Sequence, residues 1–172
     1  MVELLESDDK YLDFKKAFEN GEFAFNCTKL VNEIKSLHIT RSVRSLTPED
    51  VIKDSNRVIT ALINNQVTRS RIVEIKMSVS NLDIRIKSKV ETLEKYLLTQ
   101  YASELQKMKL TQTERKNYIQ SLFDFTDTVK SNIDVVQRFA DLVIDDIDQA
   151  SWALKSIIDC LKINDAVVKN SV

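Results

Sequence analysis

An all-α protein is what this sequence predicts: a helical bundle of long, coiled-coil-like helices preceded by two short N-terminal helices. Three observations point there. The 172 residues include one Gly and one Pro, whereas the tight turns of sheets, barrels and phosphate loops lean on both. No Gly or Pro follows Pro48 in the remaining 124 residues (172 less 48). And a heptad pattern runs through the last third of the chain. Stepping by fours and threes from Leu122 gives Thr126, Val129, Ile133, Val136, Ala140, Val143, Ile147, Ala150, Leu154, Ile157 and Leu161, of which only Thr126 is not apolar. A seam that long is the edge of a helix packed on other helices.

The elements follow in order. Ser7 can cap a first helix with Asp8 and Asp9 in its first turn, where negative charge complements the backbone dipole. Tyr11, Phe14 and Phe18 share one of its faces, and Asn20-Gly21 offers a left-handed ending. A second helix is expected to start between Phe23 and Asn26, with Leu30, Ile34 and Leu37 as its stripe, and Thr40 to Ser45 reads as a connection. Thr47-Pro48-Glu49-Asp50 is a helix start: a capping hydroxyl, Pro at the first position and two acids. The stripe that follows, through Val51, Val58 and Leu62, fails from Asn64 to Arg71 and resumes in another phase at Ile72, so a hinge, kink or loop is expected there. Thr111-Gln112-Thr113-Glu114 has capping-box spacing, with one helix ending before it and another beginning. From Leu122 to Leu161 one continuous rod is expected. Its flanking apolar residues, Phe139, Leu142, Ile144, Trp152 and Ile158, widen the stripe beyond a two-stranded zipper.

One stretch, EIKMSVSNLDIRIK from Glu74 to Lys87, fits two periods. Taken in twos it alternates around Ser80-Asn81 like a hairpin. Taken in threes and fours it is a seam through Ile72, Ile75, Val79, Leu82 and Ile86, continued by Val90, Leu93, Leu97 and Tyr101. A lone hairpin is marginal, and Ser-Asn lacks the Gly such turns favour. The helix is the expected form. The chain then reads as one continuous domain, a helical pair over 1–46 leading into a long-helix bundle over 47–172.

Composition narrows function by exclusion. A single His (His38) allows neither a His-based metal set nor a Ser or Cys triad. A single Gly excludes the dinucleotide fingerprint and the phosphate loop. His38 reads as an ordinary residue near a helix end. Cys27 and Cys160 lie far apart and read as two small buried hydrophobes in a reducing compartment. The start, MVELLESDD, is acidic with no leader pattern, and no apolar run approaches the roughly 20 residues of a membrane span. The expectation is a cytoplasmic, non-enzymatic protein with no cofactor, metal, small-molecule substrate or membrane contact. Its partner would be itself, as a homo-oligomer, or another protein.

Charge supplies the remaining hint. The net charge is −1, yet Arg69, Arg71, Lys76, Arg85, Lys87 and Lys89 stand against only Glu74 and Asp83, a local +4, while Asp124 to Asp148 carries a local −5. Two uses compete. The basic middle and acidic distal helix can attract one another, fixing register, or the basic region can meet a polyanion. Asp141, Asp145 and Asp148 share a helix face that reads as solvated, with docking of a basic partner as the alternative. Val129, Ile133, Val136, Val143, Ile147, Leu154, Ile157 and Leu161 are the expected core or oligomer seam.

From about Arg69 to Leu161 the layout resembles the recombination mediator proteins of T-even-type phages. The basic helical stretch, the LTQTERKNYI capping segment and a final heptad helix ending in SWALKSIIDCLKI carry the likeness. That resemblance implies a small, helical, ring-forming protein that binds single-stranded DNA and helps load recombinase, with Arg69, Arg71, Lys76, Arg85, Lys87 and Lys89 touching the strand. The compact basic-aromatic motif of that family is missing, and the first fifty residues have no counterpart in it.

Overall fold

A computed structural model describes residues 5–41, 46, 47, 49 and 53–170, with the backbone alone at 55, 161 and 163–170. The order is α1 (Asp9–Glu19), α2 (Cys27–Ile39), α3 (Ser55–Gln100), α4 (Ala102–Lys107), α5 (Gln112–Ser121), a 3-10 turn (Asp124–Thr126) and α6 (Asp127–Asn170). No strand occurs among the described residues, and the fold is all-α. The stretch Glu74–Lys87 is helix throughout. Pro48 and Asp50 of the start signal, Ser42–Ser45 of the connection and Val51 lie outside the described residues. The chain divides into two compact units: Met1–Asn26 with Ser78–Val135, and Cys27–Met77 with Val136–Val172. Each unit holds one of the two short helices and a stretch of both α3 and α6.

In the first unit, the cap of α1 is Asp8, not Ser7. Asp8 Oδ1 accepts from the amides of Lys10 (3.0 Å) and Tyr11 (3.2 Å), while Oδ2 accepts from the hydroxyls of Tyr101 (2.8 Å) and Tyr96 (3.2 Å). A carboxylate can cap and collect two tyrosines at once, which a serine hydroxyl cannot. Asp8 is therefore a tie between α1 and the end of α3, buried at 7% exposure. Burial pushes its pKa up, but the Tyr101 bond and the other three outweigh that and hold it below the ordinary 3.8. The same bond, with burial, pushes Tyr101 up to about 12. Helix α1 ends at Asn20, and Gly21 at φ +82° turns the chain into the left-handed region that Gly adopts without strain. The Glu22 amide then reaches back to the Ala17 carbonyl at 3.0 Å.

Behind that cap is an aromatic core. Phe14 meets Phe23 at 5.6 Å and Phe18 at 5.9 Å between ring centroids, edge to face, and Phe123 and Phe125 close on it from the far side. The Tyr11 hydroxyl donates to the Leu122 carbonyl at 2.9 Å. These contacts explain why the distal rod does not begin at Leu122. That residue caps the end of α5, and turning both Phe123 and Phe125 inward requires the 3-10 turn, whose buried Thr126 bonds its hydroxyl to the Phe123 carbonyl. Helix α6 starts at Asp127. The Thr111–Glu114 capping box is present in both directions, at 3.3 Å and 2.8 Å. Between α4 and α5, Lys109 sits at φ +54°.

In the second unit, α2 begins at Cys27 and buries Ile34. The expected break from Asn64 to Arg71 is absent: α3 is a single 46-residue helix. In this unit its inner edge runs Val58, Ala61, Asn65, Thr68, Ile72, Ile75 in unbroken steps of three and four, with Val58, Ala61, Asn65, Ile72 and Ile75 buried and Thr68 half-buried. The seam looks interrupted in sequence because Asn65 and Thr68 fill two of its positions. Val136, Ala140, Val143, Ile147 and Leu154 of α6 are buried in the same unit. Leu46, Leu62 and Ile158 pack around the Val58–Leu154 contact. Each large side chain so covered stabilises the fold by about 1.5–3 kcal/mol.

Asn65, fully buried, donates Nδ2 to Ser151 Oγ at 3.1 Å, while its Oδ1 has no partner. A buried acceptor left unpaired costs about 1–3 kcal/mol. Replacing Asn65 by Leu, which keeps the branched shape, should therefore raise the thermal midpoint, by about 1 kcal/mol of stability; a midpoint lower than wild type would show that the amide is needed there. Asp8 makes a prediction of opposite sign. A carboxylate with a depressed folded pKa contributes stability above its unfolded value and loses it as pH falls through the folded one. Urea titrations of Asp8→Asn are expected to show lower stability than wild type at neutral pH, by about 1–3 kcal/mol, with the gap closing below about pH 4.

Candidate functional site

Helix α3 sets out the six cations of the basic middle, so the structure fixes what each one faces. In the second unit, Arg69 grips Asp148 with two bonds, Nε–Oδ1 at 2.7 Å and Nη2–Oδ2 at 3.0 Å. Lys76 reaches Asp141 at 2.5 Å. Arg71 bonds Glu33 of α2 at 2.8 Å and Glu74 of its own helix at 3.1 Å. In the first unit, Arg85 lies 3.6 Å from Glu22, with its guanidinium 5.7 Å from the centre of the Phe23 ring, and Lys87 bonds Asp83 one turn away at 2.6 Å. Lys89 is exposed beside a hollow lined by Asp13, Phe14 and Glu22. Five of the six basic side chains thus face carboxylates.

Two of the three acids on the expected docking face are the same carboxylates: Asp141 and Asp148 hold Lys76 and Arg69, and Asp145 stands exposed between them. The Asn65–Ser151, Arg69–Asp148 and Lys76–Asp141 contacts share one antiparallel register. Advancing four and then seven residues along α3 moves three and then seven back along α6. The helical repeat dictates that spacing, so the charges mark alignment between α3 and α6. Sequence reasoning missed Asp146, which joins α2 to α6. His38 Nε2 lies 2.8 Å from its Oδ2, and the buried Arg41 Nη2 bonds the same oxygen. The His38 bond, joined by Arg41, holds Asp146 below the ordinary carboxylate value against partial burial. Only its three-dimensional neighbours mark this residue out.

The expected seam divides along its length. Ile133, Val136, Val143, Ile147 and Leu154 are buried and Val129 is half-buried, but Ile157 is 43% exposed, and the Leu161 side chain lies outside the described residues. The cysteine reading needs correcting: Cys27 is half-buried and Cys160 is exposed, because each falls off the inner edge of its helix. Large apolar side chains also lie on outer faces. In the second unit Ile59, Ile63, Val67 and Met77 of α3 and Leu142 and Trp152 of α6 are half or more exposed. Tyr96 and Tyr101, the aromatics nearest the cations in sequence, are engaged with Asp8, and the Lys10 ammonium sits 4.0 Å over the Tyr96 ring.

A groove of about 740 Å³ opens between α4 and α5. Leu98 and Leu105 line it together with Gln106, Gln112, Thr113, Asn117, Gln120, Arg115 and Lys116. Amides and cations of this kind can bind, and no His, Cys, Asp or Glu is among the lining residues. Among the described residues no set of three His, Cys, Asp or Glu side chains is placed to hold a metal ion, and no helix is long and apolar enough to cross a membrane. No protein-family model, curated protein or solved structure matches this chain.

Pairs as exposed as Arg69–Asp148 are worth about 0.2–1 kcal/mol. Arg69→Ala should therefore lower stability by less than about 1 kcal/mol in low salt and by less still in molar salt, as read by urea unfolding. A larger, salt-independent loss would mean that the guanidinium contributes through packing.

Proposed function

We propose that this chain is a non-enzymatic helical assembly protein of the cytoplasm, which associates with itself and presents rigid helix surfaces to a protein partner. The observation that carries the reading is the row of large apolar side chains on outer helix faces of the second unit: Ile59 (50% exposed), Ile63 (59%) and Val67 (65%) on α3, with Leu142 (69%) and Trp152 (72%) on α6. Apolar groups clustered on a rigid surface mark contact sites more often than they mark accidents of composition. Long helices suit the task, since a helix face offers anchors three and four residues apart to another helix.

The alternative, a mediator that binds single-stranded DNA through the basic middle, has less support. Strand binding needs cations available to phosphate, and Arg69, Arg71 and Lys76 are already committed to carboxylates. Light scattering over a concentration series is the direct test. A mass rising above that of one 19.8 kDa chain supports the assembly reading, and a monomer persisting at hundreds of micromolar refutes self-association. Salt-sensitive binding of a labelled single strand, lost when Arg85, Lys87 and Lys89 become Ala, would favour the alternative instead.

A further inference from the structure

We propose that a second copy of this chain packs antiparallel on the outer edge of α3, along Ile59, Ile63, Gln66, Ser70, Val73 and Met77; the inference rests on the self-association proposed above and names its surface. These residues are spaced four, three, four, three and four apart, the alternation that keeps one edge of a helix against a partner helix. The inner edge of the same stretch has the same spacing and is covered by the chain's own core. Helix α3 thus carries two seams between residues 58 and 77, one largely buried and one largely exposed, with Val73 half-buried on the latter. On the outer one, Ile59, Ile63 and Met77 are 50–59% exposed, and Val67 lies beside them. A surface with no partner would put polar residues there.

Charge identifies the occupant. None of the six edge residues is ionisable. The ionised residues around them are bonded within the chain: Arg69 to Asp148, Arg71 to Glu33 and Glu74, and Lys76 to Asp141. The edge therefore selects neither an acidic nor a basic partner, and two copies can approach without opposing like charges. Antiparallel alignment makes the edge complementary to itself. With Gln66 set opposite Ser70 of the second copy, Ile63 falls opposite Val73 and Ile59 opposite Met77. Apolar residues then meet apolar ones, and the amide and hydroxyl meet at the centre, where they can hydrogen-bond. The centre of this register falls at residue 68, midway between Gln66 and Ser70, so the Gln66–Ser70 pair occurs twice across the two-fold axis, as an isologous contact requires. The edge spans 18 residues of rise, about 27 Å, or five helical turns.

Light scattering on the full chain tests this with three proteins: wild type, Ile63→Glu/Val67→Glu, and Leu142→Glu/Trp152→Glu, each checked for helix content by circular dichroism. The expected result is two chains for wild type and for the α6 variant, and one chain for the α3 variant. Orientation is read by disulfide trapping in a Cys27→Ser/Cys160→Ser background. Ile59→Cys and Met77→Cys chains, distinguishable by a tag, should cross-link to one another and not to their own kind. An α3 variant that remains a dimer, or Ile59→Cys chains that link to each other instead, overturns this inference while leaving self-association standing. A wild-type chain that is monomeric at hundreds of micromolar removes both.

Discussion

A helix of forty or more residues with an apolar edge is not stable alone in water. Isolated helices draw little from their own hydrogen bonds, and most of their stability comes from covering that edge. The rest of this structure answers that requirement. In the second unit, α3 and α6 each turn an edge inward and α2 closes over them. In the first, α1 and its aromatic side chains supply the cover, with α4 and α5 folded back after α3. Apolar burial is non-directional, so a second kind of interaction must fix which turn of one helix meets which turn of the next.

Polar contacts do that here. Asn65–Ser151, Arg69–Asp148 and Lys76–Asp141 share one register along α3 and α6. Sliding either helix by one turn would break all three together. Each surface pair is weak on its own, but a buried amide in the wrong place is costly, which makes Asn65 the strictest of the three. Asp8 has the corresponding role in the first unit, gathering two tyrosine hydroxyls and the N-terminus of α1 on one carboxylate. The charge asymmetry that first suggests a polyanion partner is thus largely spent on internal alignment. Large apolar side chains are meanwhile left exposed on the outer edge of α3 and at Leu142 and Trp152.

Local signals were legible because their causes are local. The Thr111–Glu114 box, the left-handed Gly21 and the helical period through Ile72, Val79, Ile86 and Leu97 each involve residues within a few positions of one another. The same holds for the buried stretch from Ile133 to Leu154. The apparent break at Asn64–Arg71 misled because a pattern of apolar letters cannot register a seam position held by Asn or Thr, as at Asn65 and Thr68. Asn65 belongs to the seam only because Ser151 stands across from it.

Sequence alone determined that the chain is helical, where α1 ends, where α5 begins and which edge of α6 turns inward, since those depend on period, capping and the scarcity of Gly and Pro. Tertiary structure decided the rest: that Asp8 replaces Ser7 as the cap, that Phe123 and Phe125 delay the start of α6, and which carboxylate each cation meets. The physical reason is distance along the chain. Hydrogen bonds and ion pairs between residues some 40 to 110 positions apart leave no periodic trace, and they exist only once the helices that carry them have been laid side by side.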